Sequence, residues 1–439
     1  MPRAYRVSFI EGDGIGPEIL SASRSVLETL SECFNLNFEF IATPAGDRAL
    51  AKTGEALPRE SFIAIKESDV CLKAPVGETA KETILKIRQD LDLYANIRPA
   101  RNYVFVESRF KNVDLVIVRE NTEDIYVGRE FEEHDGKRAT ALKVTTEKAS
   151  KRIAKVAFEM AASRQVNRER EEKRDDSDSY YSQSARTDAY LISDEKRQQP
   201  EIPGRGVGRN FPSVTCVHKS NVLPKTDGLF VKSCTVVAEG YPSIKFSTMY
   251  VDTAAMSLVR NPESFDVIVT SNMYGDILSD EASQVVGGLG IAASANLGDG
   301  FALFEPVHGC APDIAGKGIA NPISMIFTAK MMLDWLGTKR SDENCLAASL
   351  AIDRAVSAVG ARGVLTPDIG GASSTAEVTR EICSEIREMY GEDGERVRGM
   401  TKKGSGMRAG RQGEESRPIG EVVGLENSNR KDVLLKKKW

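Results

Sequence analysis

The sequence predicts an α/β fold, and three of its features say so. Apolar runs of strand length (RVSFI at 6–10, SDVCLKAP at 68–75, VDLVIVRE at 113–120, SVTCVHK at 213–219, FDVIVTS at 265–271) alternate with stretches of helical period such as KASKRIAKVAFEMAAS at 148–163. The chain begins with a strand, a glycine-rich turn (EGDGIGPEIL, 11–20) and a periodic helix to about Leu30. Its 439 residues, 41% hydrophobic and 28% charged, supply a core too large for one ordinary domain.

Taken in order, the first turn is not a dinucleotide fingerprint, because Gly12, Gly14 and Gly16 bring the third glycine too early for G-x-G-x-x-G. By spacing alone it is either a tight turn or a ligand-facing loop. Arg88, Arg98 and Arg119 end or follow apolar runs. Arginines there serve as surface ion-pair partners or as bidentate clamps for carboxylates. Asp276 and Asp280 in GDILSDEASQVVGG stand four residues apart, so a helix projects both from one face. Like charges at that spacing repel, so the pair is either exposed to water or shared by a hard cation such as Mg²⁺, with Asp252 a third candidate ligand. His308 lies in LFEPVHGCAPDIAGKGIANP (303–322), a long Gly- and Pro-rich stretch of the kind that forms binding loops.

Other chemistries are excluded. Seven scattered cysteines without a C-x-x-C pair argue against a disulfide framework or a cysteine zinc site, and three histidines against a multi-histidine metal site. No apolar stretch reaches membrane-spanning length and the N-terminus meets charge at once, so a cytoplasmic protein with no membrane partner is expected. A net charge of −5 argues against general nucleic-acid binding.

Two segments interrupt the pattern. Residues 164–208 are polar and of mixed charge, and read as an inserted loop with a helical start. From 391 the chain turns Gly-rich, and residues 396–439 carry 12 Lys+Arg against 5 Asp+Glu. Lacking interleaved aromatics, 391–439 reads as a basic, solvated tail.

The motifs GDGIGPE, RQDLDLYANIRPA, VRENTEDIYVG, VHKSNVLPKTDGLF, SNMYGDILSDEASQVVGGLGIAASANLGDG and LFEPVHGCAPDIAGKGIANP together resemble the isocitrate and 3-isopropylmalate dehydrogenases, the β-decarboxylating hydroxyacid dehydrogenases. The resemblance runs from about Arg6 to Tyr390 and is strongest to archaeal-type isopropylmalate members. It implies a two-domain α/β subunit of isopropylmalate dehydrogenase type without a Rossmann domain: a large domain of residues 1–99 and 261–390, and a small domain of 100–260 bearing the contacts of a homodimer or higher homo-oligomer with shared active sites. The substrate would be a small 2-hydroxy acid with two or three carboxylates, clamped by Arg88, Arg98 and Arg119. Asp276 and Asp280 would hold Mg²⁺ or Mn²⁺ with Asp252 of the partner subunit. Tyr126 matches the family's proton donor, Lys219 its general base from the second subunit, and Asn221 would position substrate or nicotinamide.

The resemblance places the cofactor at Glu305, His308, Gly309, Ala311, Pro312, Asp313, Ile314 and Asn321. Asp313 followed by Ile314 looks like an NAD site, since a carboxylate accepts from the ribose 2′-hydroxyl and repels a 2′-phosphate. Ile84 stands where isopropylmalate enzymes set an apolar residue against the isopropyl group. The implied reaction is NAD-dependent oxidative decarboxylation of 3-isopropylmalate in leucine biosynthesis. Isocitrate or homoisocitrate dehydrogenase is the neighbouring alternative, and a non-catalytic regulatory subunit the alternative of another class.

Overall fold

A computed structural model describes residues 4–175 and 212–391. In chain order the main strands are β1 (Ala4–Ile10), β2 (Asn37–Ala42), β3 (Val70–Lys73), β4 (Ala95–Arg101) and β5 (Asp114–Glu120). After a small hairpin of β6 (Glu130–Glu133) and β7 (Arg138–Ala141) come β8 (Ser213–His218), β9 (Lys245–Tyr250), β10 (Val267–Thr270), β11 (Ala293–Leu297) and β12 (Ala302–Pro306). Ten of them form one sheet in the order β2-β1-β3-β12-β11-β4-β5-β10-β8-β9. Two parallel blocks, β2-β1-β3-β12 and β5-β10-β8-β9, are joined through antiparallel β11 and β4.

Helices cover both faces, as parallel strands require. Side chains alternate between the faces along each strand. Tyr5, Val7 and Phe9 of β1, Ala95 and Ile97 of β4 and Val116 and Val118 of β5 enter one continuous core. It is closed by α1 (Gly16–Phe34), α5 (Glu147–Asp175), α6 (Thr226–Ala238), α9 (Ile323–Arg340), α10 (Glu343–Ala361) and α11 (Thr375–Tyr390). The opposite face carries two separate clusters. One packs Leu115 and Ile117 of β5 against α7 (Val251–Arg260) and α8 (Asn272–Val286). The other gathers Ile10, Cys71 and Leu303 with Ile65 of α3 (Arg59–Glu67) and Ile87 of α4 (Lys86–Asp90). Between the two clusters the face is polar.

The first glycine-rich turn packs against protein backbone. Gly14 has φ of +57°, and a Cβ there would collide with the carbonyl oxygen of Cys310, which accepts a hydrogen bond from Ile15 N at 2.9 Å. The Asp13 carboxylate caps α2 (Asp47–Thr53), accepting from Asp47 N and Arg48 N at 2.9 Å each. The turn thus fastens the long 303–322 loop to the start of the chain.

The polar insertion expected from 164 begins later than composition suggests, because its first arginines are tied to the sheet. α5 continues to Asp175. Arg164 Nε lies 2.9 Å from Asp266 Oδ1 and its Nη2 2.9 Å from Asp114 Oδ2, while Arg168 Nη2 is 2.6 Å from Asp266 Oδ1. Ser213 N also donates to Asp266 at 3.1 Å. The rest of the insertion (176–208) and the tail from 392 lie outside the described residues.

Asp266 is therefore the pin between α5 and the ends of β5, β8 and β10. Arg164 and Arg168 are partly exposed and keep Asp114, so Asp266→Ala removes one buried acceptor, that of both arginines and of Ser213 N, and should lower unfolding free energy by about 1–3 kcal/mol. A urea titration checks this, and an unchanged midpoint would refute the pinning role.

Candidate active site

Strand alternation places the site. In β4, Asn96 and Arg98 point away from the main core, and in β5 so does Arg119, directly across from Asn96 in the antiparallel register. Arg119 also pairs with Thr270 at the end of β10, from which the chain enters α8 after one residue. That helix lies on the arginines. Arg119 Nε donates to Asn272 Oδ1 at 2.9 Å and its Nη1 bonds Asp276. A Cβ on Gly275 would stand 2.5 Å from Arg119 Cγ, so this helical turn can approach only with glycine there.

Arg98 completes the floor. Its Nε donates to Asn96 Oδ1 at 2.8 Å, and its guanidinium reaches Ser279 Oγ at 2.6 Å, Asp280 Oδ1 at 3.1 Å and Asp276 Oδ1 at 3.3 Å. Tyr126, on a short 3₁₀ turn, donates its hydroxyl to the other oxygen of Asp276 at 2.6 Å, with its ring 5.2 Å from the Arg119 guanidinium. Arg98, Arg119, Tyr126, Asp276 and Asp280 thus share one cluster.

Arg88 joins it through a buried relay. It stands on α4 directly after a π-helical turn, Lys81–Leu85. Arg88 Nη2 is 2.9 Å from Glu305 Oε1, and Lys73 Nζ is 2.8 Å from Glu305 Oε2. Asn296 donates to Glu305 Oε1 at 2.9 Å and accepts from Asn96 at 2.8 Å, which returns the relay to Arg98. Four cations face three carboxylates in this network. Its excess positive charge suits an anionic ligand.

The local fields differ from group to group. Burial alone would push the Asp276 carboxyl up, but Arg119 and then Arg98 hold it below the ordinary value. Burial pushes Asp280 up, and Arg98 only partly offsets this. Tyr126 is raised by burial and by its bond to Asp276, so its hydroxyl keeps its proton at neutral pH. Burial and then neighbouring Arg98 draw Arg119 down to about 9, still cationic near pH 7. Glu305 is held far below the ordinary carboxylate range because Lys73 and Arg88 outweigh its burial.

Other expected residues stand apart from this cluster. Lys219 Nζ pairs with Asp252 Oδ1 at 2.5 Å, on the turn after β8 and the first turn of α7, and Asn221 is exposed beside them. In the 303–322 loop, His308 Nδ1–H donates to the Gly309 carbonyl at 2.9 Å, which leaves Nε2 to accept from Ser324 Oγ at 2.7 Å. Asn321 Nδ2 donates to Asp368 at 2.9 Å, Ala311 has φ of +38°, and Pro312 and Asp313 are exposed with Ile314 half-buried. Glu305 lies in the relay under Arg88. Ile84 is 7% exposed and packs in the cluster with Val76 and Ile87.

The family model described as isocitrate/isopropylmalate dehydrogenase matches residues 6–171 and 207–386. This chain belongs to that family. It is 44% identical over 383 residues to the 3-isopropylmalate dehydrogenase of Sulfurisphaera tokodaii, covering 87% of this chain and 99% of that protein. Identity to the 3-isopropylmalate dehydrogenase of Saccharolobus solfataricus is 45% over 379 residues, covering 86% and 98%. Among solved structures, isocitrate dehydrogenase from Methylococcus capsulatus matches with a TM-score of 0.71 at 35% identity, covering 87% of this chain and 99% of that one. The chain is accordingly a β-decarboxylating dehydrogenase, and 172–206 lies outside the family match.

The acid pair can be weighed as a dehydrogenase metal site. Among the described residues no three His, Cys, Asp or Glu gather as a complete ligand set. Asp276 and Asp280 offer hard oxygen donors one turn apart, both partly open to solvent, which fits Mg²⁺ or Mn²⁺ if further oxygen ligands come from outside the chain.

Sequence reading missed Lys73, Asn96, Asn296 and Ser279. The one available signal was a lysine closing the otherwise apolar strand VCLK. Glu305→Gln should strand Lys73 and Arg88 as buried cations at a cost of about 3–5 kcal/mol. A depressed carboxyl contributes its stability above the unfolded-state value and loses it only as pH falls through the folded one, so the penalty should be as large at pH 5.5 as at pH 7. Denaturant midpoints of both proteins at the two pH values test this, and a penalty that shrinks at pH 5.5 would contradict it.

Proposed function

We propose that this enzyme carries out NAD-dependent, divalent-cation-assisted oxidative decarboxylation of 3-isopropylmalate in leucine biosynthesis, as a cytoplasmic homodimer. The reading rests on the convergence of Arg98 and Arg119 on Asp276, with the Tyr126 hydroxyl on the remaining oxygen. Those groups come from 1–99, 100–260 and 261–390, the stretches assigned to the two domains, so the site would lie between them.

In this reading Arg88, Arg98 and Arg119 bind the malate carboxylates and fix the reacting carbons. Asp276 and Asp280, with Asp252 of the partner subunit, would hold Mg²⁺ or Mn²⁺, which would lower the cost of negative charge on the substrate oxygen. Lys219 of the partner subunit would take the hydroxyl proton, and NAD, when bound, would accept the hydride. Loss of CO₂ then leaves an enolate, and Tyr126, whose raised pKa keeps the proton available, donates it to the carbon.

Substrate choice follows from hydrocarbon near Arg88. Ile84 is buried in the cluster with Val76 and Ile87, and Leu85 is half-buried on the π-helical turn; if this turn faces the substrate's side chain, an isopropyl group would gain from burial against it where a third carboxylate would lose water. The exposed Asp313 favours the NAD ribose over a 2′-phosphate. Around Lys219 and Asp252, Val222, Met256, Val259 and Ile277 are each more than half exposed, apolar surface that a second copy of the chain would cover. Among the described residues no helix is long and apolar enough to cross a membrane.

The deciding experiment offers purified protein NAD and Mg²⁺ with 3-isopropylmalate, isocitrate, homoisocitrate, tartrate and malate in turn, reading NADH formation. The highest kcat/KM should belong to 3-isopropylmalate. Faster use of isocitrate at low concentration would replace the proposal with the isocitrate reading. Changing Asp313 to Lys and Ile314 to Tyr should shift preference from NAD toward NADP, and an unaltered cofactor ratio would remove Asp313 from the ribose site.

A further inference from the structure

A further cation, the partly buried Lys143, lies outside the arginine cluster. Its side chain is 11% exposed. Residues 143–146 are laid along the turn carrying Tyr126 by an antiparallel bridge in which Asp124 N donates to Val144 O at 2.9 Å and Val144 N to Asp124 O at 3.3 Å. Thr146 fastens the same stretch through N and Oγ1 to the Glu123 carboxylate at 2.8 and 2.6 Å. Lys143 Nζ then lies 2.9 Å from Asp227 Oδ1, 3.6 Å from Asp124 Oδ2 and 3.4 Å from Ser271 Oγ, and 4.3 Å from the centre of the Tyr274 ring.

Its two carboxylate neighbours are 2% exposed each. Both hold pieces of the catalytic machinery. Asp124, at φ +71°, accepts from Ile125 N at 2.9 Å and so caps the turn bearing Tyr126, while its other oxygen accepts from Met273 N at 3.1 Å in the first turn of α8, the helix of Asp276. Asp227 Oδ2 accepts from Lys219 N at 2.6 Å. Asp227 Oδ1 meets the ammonium group as an ion pair rather than an aligned hydrogen bond. Without the lysine, the two buried carboxylates would keep those backbone donors but lose the cation that pairs with both.

We infer that Lys143 is a positioning residue for the dehydrogenase reaction: it ties the tyrosine turn, the first turn of α8 and the Lys219 turn into one unit. The inference rests on the reading of Tyr126 as proton donor and Lys219 as base. Where Tyr126 serves its own site and Lys219 its neighbour's, one ammonium group steadies half of each. Supports of this kind typically change activity 10–100-fold when removed.

The test compares Lys143→Met, which keeps the stem and removes the charge, with Lys143→Arg and with the double variant Lys143→Met/Asp227→Asn, by turnover with NAD, Mg²⁺ and 3-isopropylmalate and by thermal unfolding. The methionine enzyme should lose about 10–100-fold in kcat while KM for the hydroxy acid, set by the arginines, hardly moves. Arginine should recover most of the loss. The double variant, which leaves only Asp124 charged beside the missing ammonium group, should recover part of the stability but not kcat. Wild-type kcat in the double variant overturns the inference even if Lys143→Met alone does not fold, and so does an arginine enzyme no faster than the methionine one. Tyr126→Phe and Lys219→Met are run in parallel. If those two retain full turnover, the catalytic reading itself has failed; if they lose it while the Lys143 variants keep it, only the role of Lys143 falls.

Discussion

Charge buried on one face of a sheet has to be answered from within the protein, and that requirement governs this molecule. Lys73, Glu305, Asn296, Asn96, Arg98 and Arg119 come from five strands that are neighbours in the sheet, β3, β12, β11, β4 and β5. Each is satisfied only while those strands keep their pairing, since a one-residue slip would turn it into the apolar core on the other side. The antiparallel pair β11 and β4, which joins the two parallel blocks, therefore also fixes the register on which the polar relay depends. Isolated ions of this kind would be prohibitively costly to bury, whereas a closed network is tolerated.

The same economy shapes the site before any ligand arrives. Arg98 and Arg119 hold Asp276, and Tyr126 holds its second oxygen. If these guanidinium groups bind substrate carboxylates as proposed, they could not serve Asp276 and the substrate fully at once, so loading the site would be an exchange of partners rather than the filling of an empty hole. Gly275 keeps that exchange short in range by letting α8 lie directly on the Arg119 stem.

What could be read from sequence follows a physical division. The strands 6–10, 113–120, 213–219 and 265–271 were legible because apolar runs of that length have few other fates, and Arg88, Arg98, Arg119, Asp276 and Asp280 because whole motifs resemble a known family. The hairpin of β6 and β7 was not, since EFEE and RATA are exposed and carry no apolar period. Lys73 and Asn296 were hidden for a different reason: their partners are distant in the chain, and pairing across strands leaves no local trace. Arg164 and Arg168 looked like the start of a loop because composition counts their charge and not the long stems laid against the sheet.

The ion pair between Lys73 and Glu305 joins residues 232 positions apart, and β3 reaches its neighbour β12 only when that later stretch exists. During synthesis, which runs from the N-terminus, the block β2-β1-β3 must wait with β3 as an open edge. An unpaired apolar edge invites another chain to add a strand, and a charged side chain on it is one of the devices that discourage this. Lys73 thus has two lives, first as a guard on an unfinished edge of the nascent protein and then, once Glu305 arrives, as a neutralised part of the interior.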